Sequence, residues 1–209
     1  CPFHTEQGEI GGLLSQMKED IASNVSVMSD LIGSLRAYGQ NDRLNEYQKT
    51  NIVGLLENAA KMVEYNAKTD ILVKLNSPRR DIEVFGIPSD LQVVFVNLLE
   101  NASEQIYEHK KQVGGIIEMT VTESENTVQI RIRDNGGGIP FELLDQSELF
   151  EPFATRKVGG TGLGLHSCFK IIKEHRGNIC ARNHRAKMGQ GAEFLIVLPT
   201  GKPEKHDKC

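Results

Sequence analysis

The residues with the clearest capacity for chemistry lie between Asp134 and Leu165, in three groups. The first, Asp134-Asn135-Gly136-Gly137-Gly138-Ile139-Pro140, places a carboxylate and three glycines directly after the alternating strand pattern Thr127–Arg133. The second, Leu149-Phe150-Glu151-Pro152-Phe153-Ala154-Thr155-Arg156-Lys157, sets a Phe-x-x-Phe pair ahead of a basic dipeptide. The third, Gly159-Gly160-Thr161-Gly162-Leu163-Gly164-Leu165, opens into a helical pattern. Clustered glycines let backbone amides approach a polyanion without Cβ obstruction, and a helix N-terminus favours phosphate. A carboxylate at the end of a strand suits recognition of an adenine amino group.

A fourth group precedes these: Asn97-Leu98-Leu99-Glu100-Asn101-Ala102, inside a helical pattern. Asn97 and Asn101 are four residues apart, so both carboxamides lie on one helix face, where they can coordinate or orient a hydrated Mg²⁺ carrying ATP phosphates.

The elements that must position these groups follow from periodicity. Apolar residues at Ile10, Leu14, Met17, Ile21, Val25, Met28, Ile32 and Leu35 predict a helix with a coiled-coil-like seam. Gly39, Asn41 and Asp42 interrupt it, and a second helical pattern runs through Ile52, Leu55, Ala59, Met62 and Asn66. Two such helices form an antiparallel hairpin whose stripe is buried most simply in a four-helix homodimer. After Lys68 the pattern turns to strands at Ile71–Leu75 and Asp81–Gly86. A helix from Asp90 to about Lys110 follows, with Ser89 as its N-cap. Strands near Ile116–Thr122 and Thr127–Arg133 form a hairpin, Leu165–His175 reads as a helix closed by Gly177, and Asn178–Arg182 and Ala192–Leu198 are the last strands. This is an α+β chain: a helical hairpin over residues 1–68, then an α/β sandwich with a mixed sheet over 69–209.

Composition narrows the function. Hydrophobic residues at 39% and charged residues at 25% of 209 describe an ordinary globular protein. A net charge of −4 and a pI near 5.9 argue against nucleic acid or an anionic membrane as partner. No apolar run approaches the roughly 20 residues of a membrane span, so the chain is expected in the cytoplasm, alone or as the cytoplasmic part of a larger sensor. It opens at Cys1 rather than at methionine, as a fragment of a longer protein would. Cys1, Cys168, Cys180 and Cys209 have no metal-type spacing and read as free thiols of a reducing compartment.

In order and spacing, the four groups resemble the N box, first glycine box, F box and second glycine box of the sensor histidine kinases, within the wider Bergerat-fold ATPases. The resemblance covers about Thr69 to Thr200. It implies that Asn101 ligates Mg²⁺, that Asp134 binds the adenine amino group, and that Gly136 and Gly138 close the loop around the base. Gly160, Thr161, Gly162, Leu163 and Gly164 would form the phosphate end, with Arg156 and Lys157 on a lid and Phe150 and Phe153 packing it. Asn97 stands where chaperone, gyrase and mismatch-repair relatives carry a glutamate base. An amide is no base near neutral pH, so the site suits holding ATP for transfer, with Asn97 and Lys157 as the catalytic pair. The implied partners are a second copy of the chain and a response regulator receiver domain.

The pattern breaks at the phosphoacceptor. Such kinases carry a histidine on the first long helix, followed by an acidic residue, and Ile10–Leu35 has none. One register puts Glu19 at the histidine position with Asp20 as the acidic neighbour; a register shifted by eight puts Val27 there. His4, His109, His166, His175, His184 and His206 lie elsewhere: His109 reads as exposed, His166 as a packing residue, His175 as a helix C-terminal charge, and His184 as a loop residue. These observations leave two readings: a kinase acting on a histidine elsewhere, and a non-catalytic ATP-dependent dimeric regulator.

Overall fold

The computed structural model describes residues 47–67, 70–109, 114–143, 146–155, 161–186 and 189–202. The pattern Ile10–Leu35, with Glu19 and Val27, lies outside the described residues, as do Arg156, Lys157 and Gly160. In chain order the elements are β1 (Gln48–Asn51), α1 (Ile52–Asn66), β2 (Ile71–Asn76), β3 (Glu83–Gly86), α2 (Pro88–His109), β4 (Gly115–Glu123) and β5 (Thr127–Asp134). A 3₁₀ turn (Phe141–Leu143), the short α3 (Gln146–Leu149), α4 (Gly164–Glu174), β6 (Asn178–Ala186) and β7 (Gly189–Pro199) complete them.

Five strands form one mixed sheet in the order β2-β4-β5-β7-β6, with β2 parallel to β4 and every other pairing antiparallel. Alternation along β5 buries Val128, Ile130 and Ile132 and leaves Gln129, Arg131 and Arg133 half-buried, so one face of the sheet is apolar. Helices α1, α2 and α4 cover that face. Phe95, Leu91, Leu98, Leu99 and Ile106 of α2 are fully buried against Ile117, Met119 and Ile130 of the sheet.

One sequence assignment changes here. The pattern from Ile52, given above to the helical hairpin, packs instead beside α2: Ile52, Val53, Leu56, Ala59 and Val63 are buried in the same core, and β1 just before it pairs with β3. Asn51 caps the helix, accepting from the Gly54 N–H, while its Nδ2 donates to the Arg80 carbonyl at 2.9 Å. A division between residues 68 and 69 therefore cuts through a packed unit. The stripe was legible, but periodicity names a buried face and not the partner that buries it.

Smaller differences have local causes. Helix α2 begins at Pro88, with the Ile87 carbonyl accepting from Asp90 and Leu91, so Ser89 is inside the first turn and not the cap; proline's fixed φ suits that position. At the end of α4 the left-handed residue is Arg176, at φ 56°, ahead of Gly177. Strand β6 continues through His184, beyond its predicted end. Cys168 is buried and Cys180 half-buried, and both are free thiols. No helix among the described residues is long and apolar enough to cross a membrane.

Candidate functional site

Between the middle of α2, the end of β5 and the start of α4 lies a cleft of about 610 Å³, within the range of small-ligand sites. Asn97, Asn101, Asp134, Gly138, Thr161, Gly162 and Gly164 border it. The asparagine pair and the second glycine cluster face each other, for a Cβ built on Gly164 would stand 3.9 Å from the Asn97 carboxamide.

One end of the cleft is formed where β5 stops. Asp134 is 4% exposed, and its Oδ1 accepts from the Gly136 N–H at 2.8 Å and the Ala192 N–H at 3.3 Å. Two amide donors orient the carboxylate. The glycine loop then turns at Gly138, whose φ of 78° excludes most side chains. Gly136 does not border the cleft; it lies behind, where a Cβ would meet the α2 backbone at Gln105 and Ile106 at 2.9–3.0 Å. Asn135 ties the loop to β4, its Oδ1 accepting from the Ile116 N–H at 2.9 Å.

At the other end, Gly162 (φ 65°) faces Phe153, with the Gly162 carbonyl accepting from the Phe153 N–H at 3.1 Å. A Cβ on Gly162 would stand 2.5 Å from the Phe153 backbone, so the contact requires glycine. Leu163 does not border the cleft; its carbonyl accepts from the Ser167 N–H and starts α4. The two phenylalanines differ from their shared expectation. Phe150 is buried and stacks on Phe169 at 5.3 Å, whereas Phe153 is 72% exposed in a left-handed conformation. His166 packs as expected, donating from Nδ1 to the Phe150 carbonyl at 2.9 Å.

Four residues acquire roles the sequence did not indicate. Glu100 borders the cleft with Glu104 and Glu108, because the cleft spans more of α2 than the face holding Asn97 and Asn101. His109, exposed as expected, also borders it; its Nδ1–H donates to the Gln105 carbonyl, and its ring fills the space beside Gly137. His184 is a strand residue, 2.9 Å from the Asp134 carbonyl. His175 is no helix-end charge: its Nδ1–H donates to the Ile171 carbonyl at 2.7 Å and its Nε2 accepts from the Ile87 N–H at 3.0 Å, which requires the neutral ring.

The donor set suits a hard cation. The described lining offers the carboxamides of Asn97, Asn101 and Gln105 and the carboxylates of Glu100, Glu104, Glu108 and Asp134, with no lysine or arginine among the described residues that border the cleft. Oxygen donors of this kind are those that Mg²⁺ prefers while keeping several waters.

Comparison with known proteins agrees with this geometry. Residues 86–202, more than half of the chain, match the family described as histidine kinase-, DNA gyrase B-, and HSP90-like ATPase. Sporulation kinase A of Bacillus subtilis is 32% identical over 83% of this chain and 26% of its own length. The sensor histidine kinase ZraS of Escherichia coli K12 is 27% identical over 94% of this chain and 40% of its own. The chain thus spans between a quarter and two fifths of these relatives. Among solved structures, the catalytic domain of histidine kinase ThkA superposes with a TM-score of 0.63 at 29% identity, covering 74% of this chain and 98% of that one. The chain belongs to the histidine kinase-, DNA gyrase B- and HSP90-like ATPase family, and the relatives it resembles within that family are sensor histidine kinases.

Proposed function

We propose that this chain is the catalytic part of a sensor histidine kinase of a two-component system, binding Mg-ATP and passing the γ-phosphate to a histidine. The observation that carries the reading is the convergence on one cleft of Asp134, of Asn97 and Asn101, and of the Gly162–Gly164 turn. In this reading Asp134 accepts from the adenine amino group, and Asn101, assisted by Asn97, holds the Mg²⁺ that neutralises the phosphates. The amides at the start of α4 cradle the phosphates, while Lys157 and Arg156 close over them. Asn97 supplies no general base, so water is not activated and the γ-phosphate waits for an incoming imidazole.

The acceptor histidine is carried by a different segment or chain. Placing Glu19 or Val27 at its position treats Ile10–Leu35 as the first helix of a hairpin whose second is Ile52–Asn66. With Ile52–Asn66 packed into the catalytic unit, that placement loses its second helix, and neither Glu19 nor Val27 is needed as a stand-in for the acceptor. The reading includes a homodimer, as expected from the apolar spacing Ile10–Leu35, and a response regulator receiver domain that then takes the phosphate.

Labelled ATP, the chain and a separately supplied histidine-bearing helical domain test the reading. Acid-labile, base-stable label on the added histidine, dependent on Asp134 and Asn101, is the expected outcome. ATP binding without transfer would favour the dimeric nucleotide-dependent regulator. Self-labelling created by Glu19→His would return the acceptor to the first helix.

A further inference from the structure

The loop carrying the first glycine cluster is held from the side by two residues outside all four boxes. On β6, the Asn183 carboxamide pairs with both backbone polar groups of Ile139: its Oδ1 accepts from the Ile139 N–H at 2.6 Å, and its Nδ2 donates to the Ile139 carbonyl at 2.8 Å. The next residue, His184, stands with Nε2 at 2.9 Å from the Asp134 carbonyl, which accepts, so Nε2 carries the proton. Between them and the loop runs β7, which leaves no slack, since a Cβ on Gly191 would stand 1.9 Å from that same Asp134 oxygen. The clasp therefore grips the loop at both ends, at the residue that begins it and at Ile139, which is 8% exposed and borders the cleft.

We infer that Asn183 and His184 are positioning residues that set the base selectivity of the cleft. Asp134 discriminates adenine only if its carboxylate is already aimed at an amino group; a carboxylate free to swing would accept other bases with less distinction. The three glycines Gly136, Gly137 and Gly138 give the loop more conformational freedom to lose than any other residues would. A clasp that orders the loop before binding removes that cost from the ligand's affinity. The clasp touches only the base end, so its effect is confined to the base and leaves the phosphates alone. The inference rests on the nucleotide reading proposed above.

Calorimetry on the whole chain with Mg-ATP, Mg-GTP and Mg-tripolyphosphate tests it. The unaltered chain should prefer ATP. Asn183→Ala and His184→Ala should each weaken ATP on the order of tenfold, narrow the ATP-to-GTP preference, and leave tripolyphosphate within about twofold. His184→Gln, which keeps an N–H donor, should stay near the unaltered chain; if Asn183→Ala does not fold, the two His184 variants decide alone. Equal losses for ATP and tripolyphosphate would reduce the clasp to general stability and overturn the inference, as would unchanged ATP affinity in the alanine variants. Failure of the unaltered chain to bind Mg-ATP would remove the nucleotide reading itself, and this inference with it.

Discussion

The two ends of the cleft are built on opposite principles. At the base end, Asp134, Asn135 and Ile139 are buried and cross-linked to β4, β6 and β7 by hydrogen bonds, so the recognition surface exists before any ligand arrives. At the phosphate end of the proposed site, Thr161, Gly162 and Gly164 are half-buried and border the cleft with Asn97 and Asn101, and the adjoining Phe153 is exposed. A base offers one edge with a fixed pattern of donors and acceptors, which a rigid wall can match. Phosphates arrive wrapped in water and metal and must later be surrendered, which a rigid wall would hinder. On the proposed reading, the contrast assigns selectivity and transfer to different ends of the site.

The largest expected effect tests whether the rigid half depends on α1. Leu56→Ala, at a fully buried position, should cost roughly 2–5 kcal/mol of stability through lost burial and the cavity left behind, whereas Met62→Glu, at a position 50% exposed, should change little. Denaturant titration of both variants checks this. Equal tolerance would detach the helix from the catalytic unit and revive the boundary after residue 68.

Asp134→Asn comes next. It keeps an acceptor for the Gly136 N–H but removes the charge, so ATP should bind about 10–150-fold more weakly, the equivalent of roughly 1.5–3 kcal/mol for a charged hydrogen bond. Unchanged affinity by calorimetry would take the carboxylate out of base recognition.

Glu193 supports the same end from β7. Burial by itself would raise its pKa, but hydrogen bonds and charge from Arg133 and Arg182 outweigh that and hold it below its ordinary value of 4.5. A depressed carboxylate contributes stability that is fully present above its unfolded value and is lost as pH falls through the folded one. Glu193→Gln should therefore cost about 1–2 kcal/mol at neutral pH, less than for a fully buried pair because the arginines keep solvent contact. The variant should also lose part of the acid-induced fall in melting temperature below about pH 4.5. Parallel pH profiles for the two proteins would contradict the assignment.

The smallest effect sharpens the phosphate end. Asn101→Ala should weaken Mg-ATP by several-fold while leaving metal-free ATP nearly unchanged, since the carboxamide acts on the metal and not on the base. Equal losses would assign Asn101 to the nucleotide directly.

What could be read from sequence follows the same division. The asparagine pair and the glycine clusters were legible because their chemistry is local, with spacings of four residues or fewer deciding which groups share a face. The five strands of the main sheet were found by alternation. The polar strand Gln48–Asn51 was invisible, because only its pairing with Glu83–Gly86 makes it a strand. The clasp was missed for a related reason: Asn183 lies 44 residues from Ile139, and His184 lies 50 from Asp134, so no pattern along the chain couples them. Their one visible signal was two polar side chains following the apolar alternation of Ile179 and Ala181. The stripe on α1 was seen nearly in phase, yet Met62 and Val63 were exchanged between solvent and core, a rotation of one residue that only the neighbouring helix determines.

Helix α4 has a consequence of a mechanical kind. It is 11 residues long, so roughly 16 Å separates its ends. Its first turn borders the phosphate end of the cleft. At its last turn, His175 lies against the Tyr47 ring at 5.0 Å and accepts from Ile87, while the Tyr47 hydroxyl donates to the Glu174 carbonyl. Tyr47 directly precedes β1. One rigid helix therefore spans from the Tyr47–His175 contact to the border of the cleft at Gly164, so the packing at one end and the cleft wall at the other share a single element.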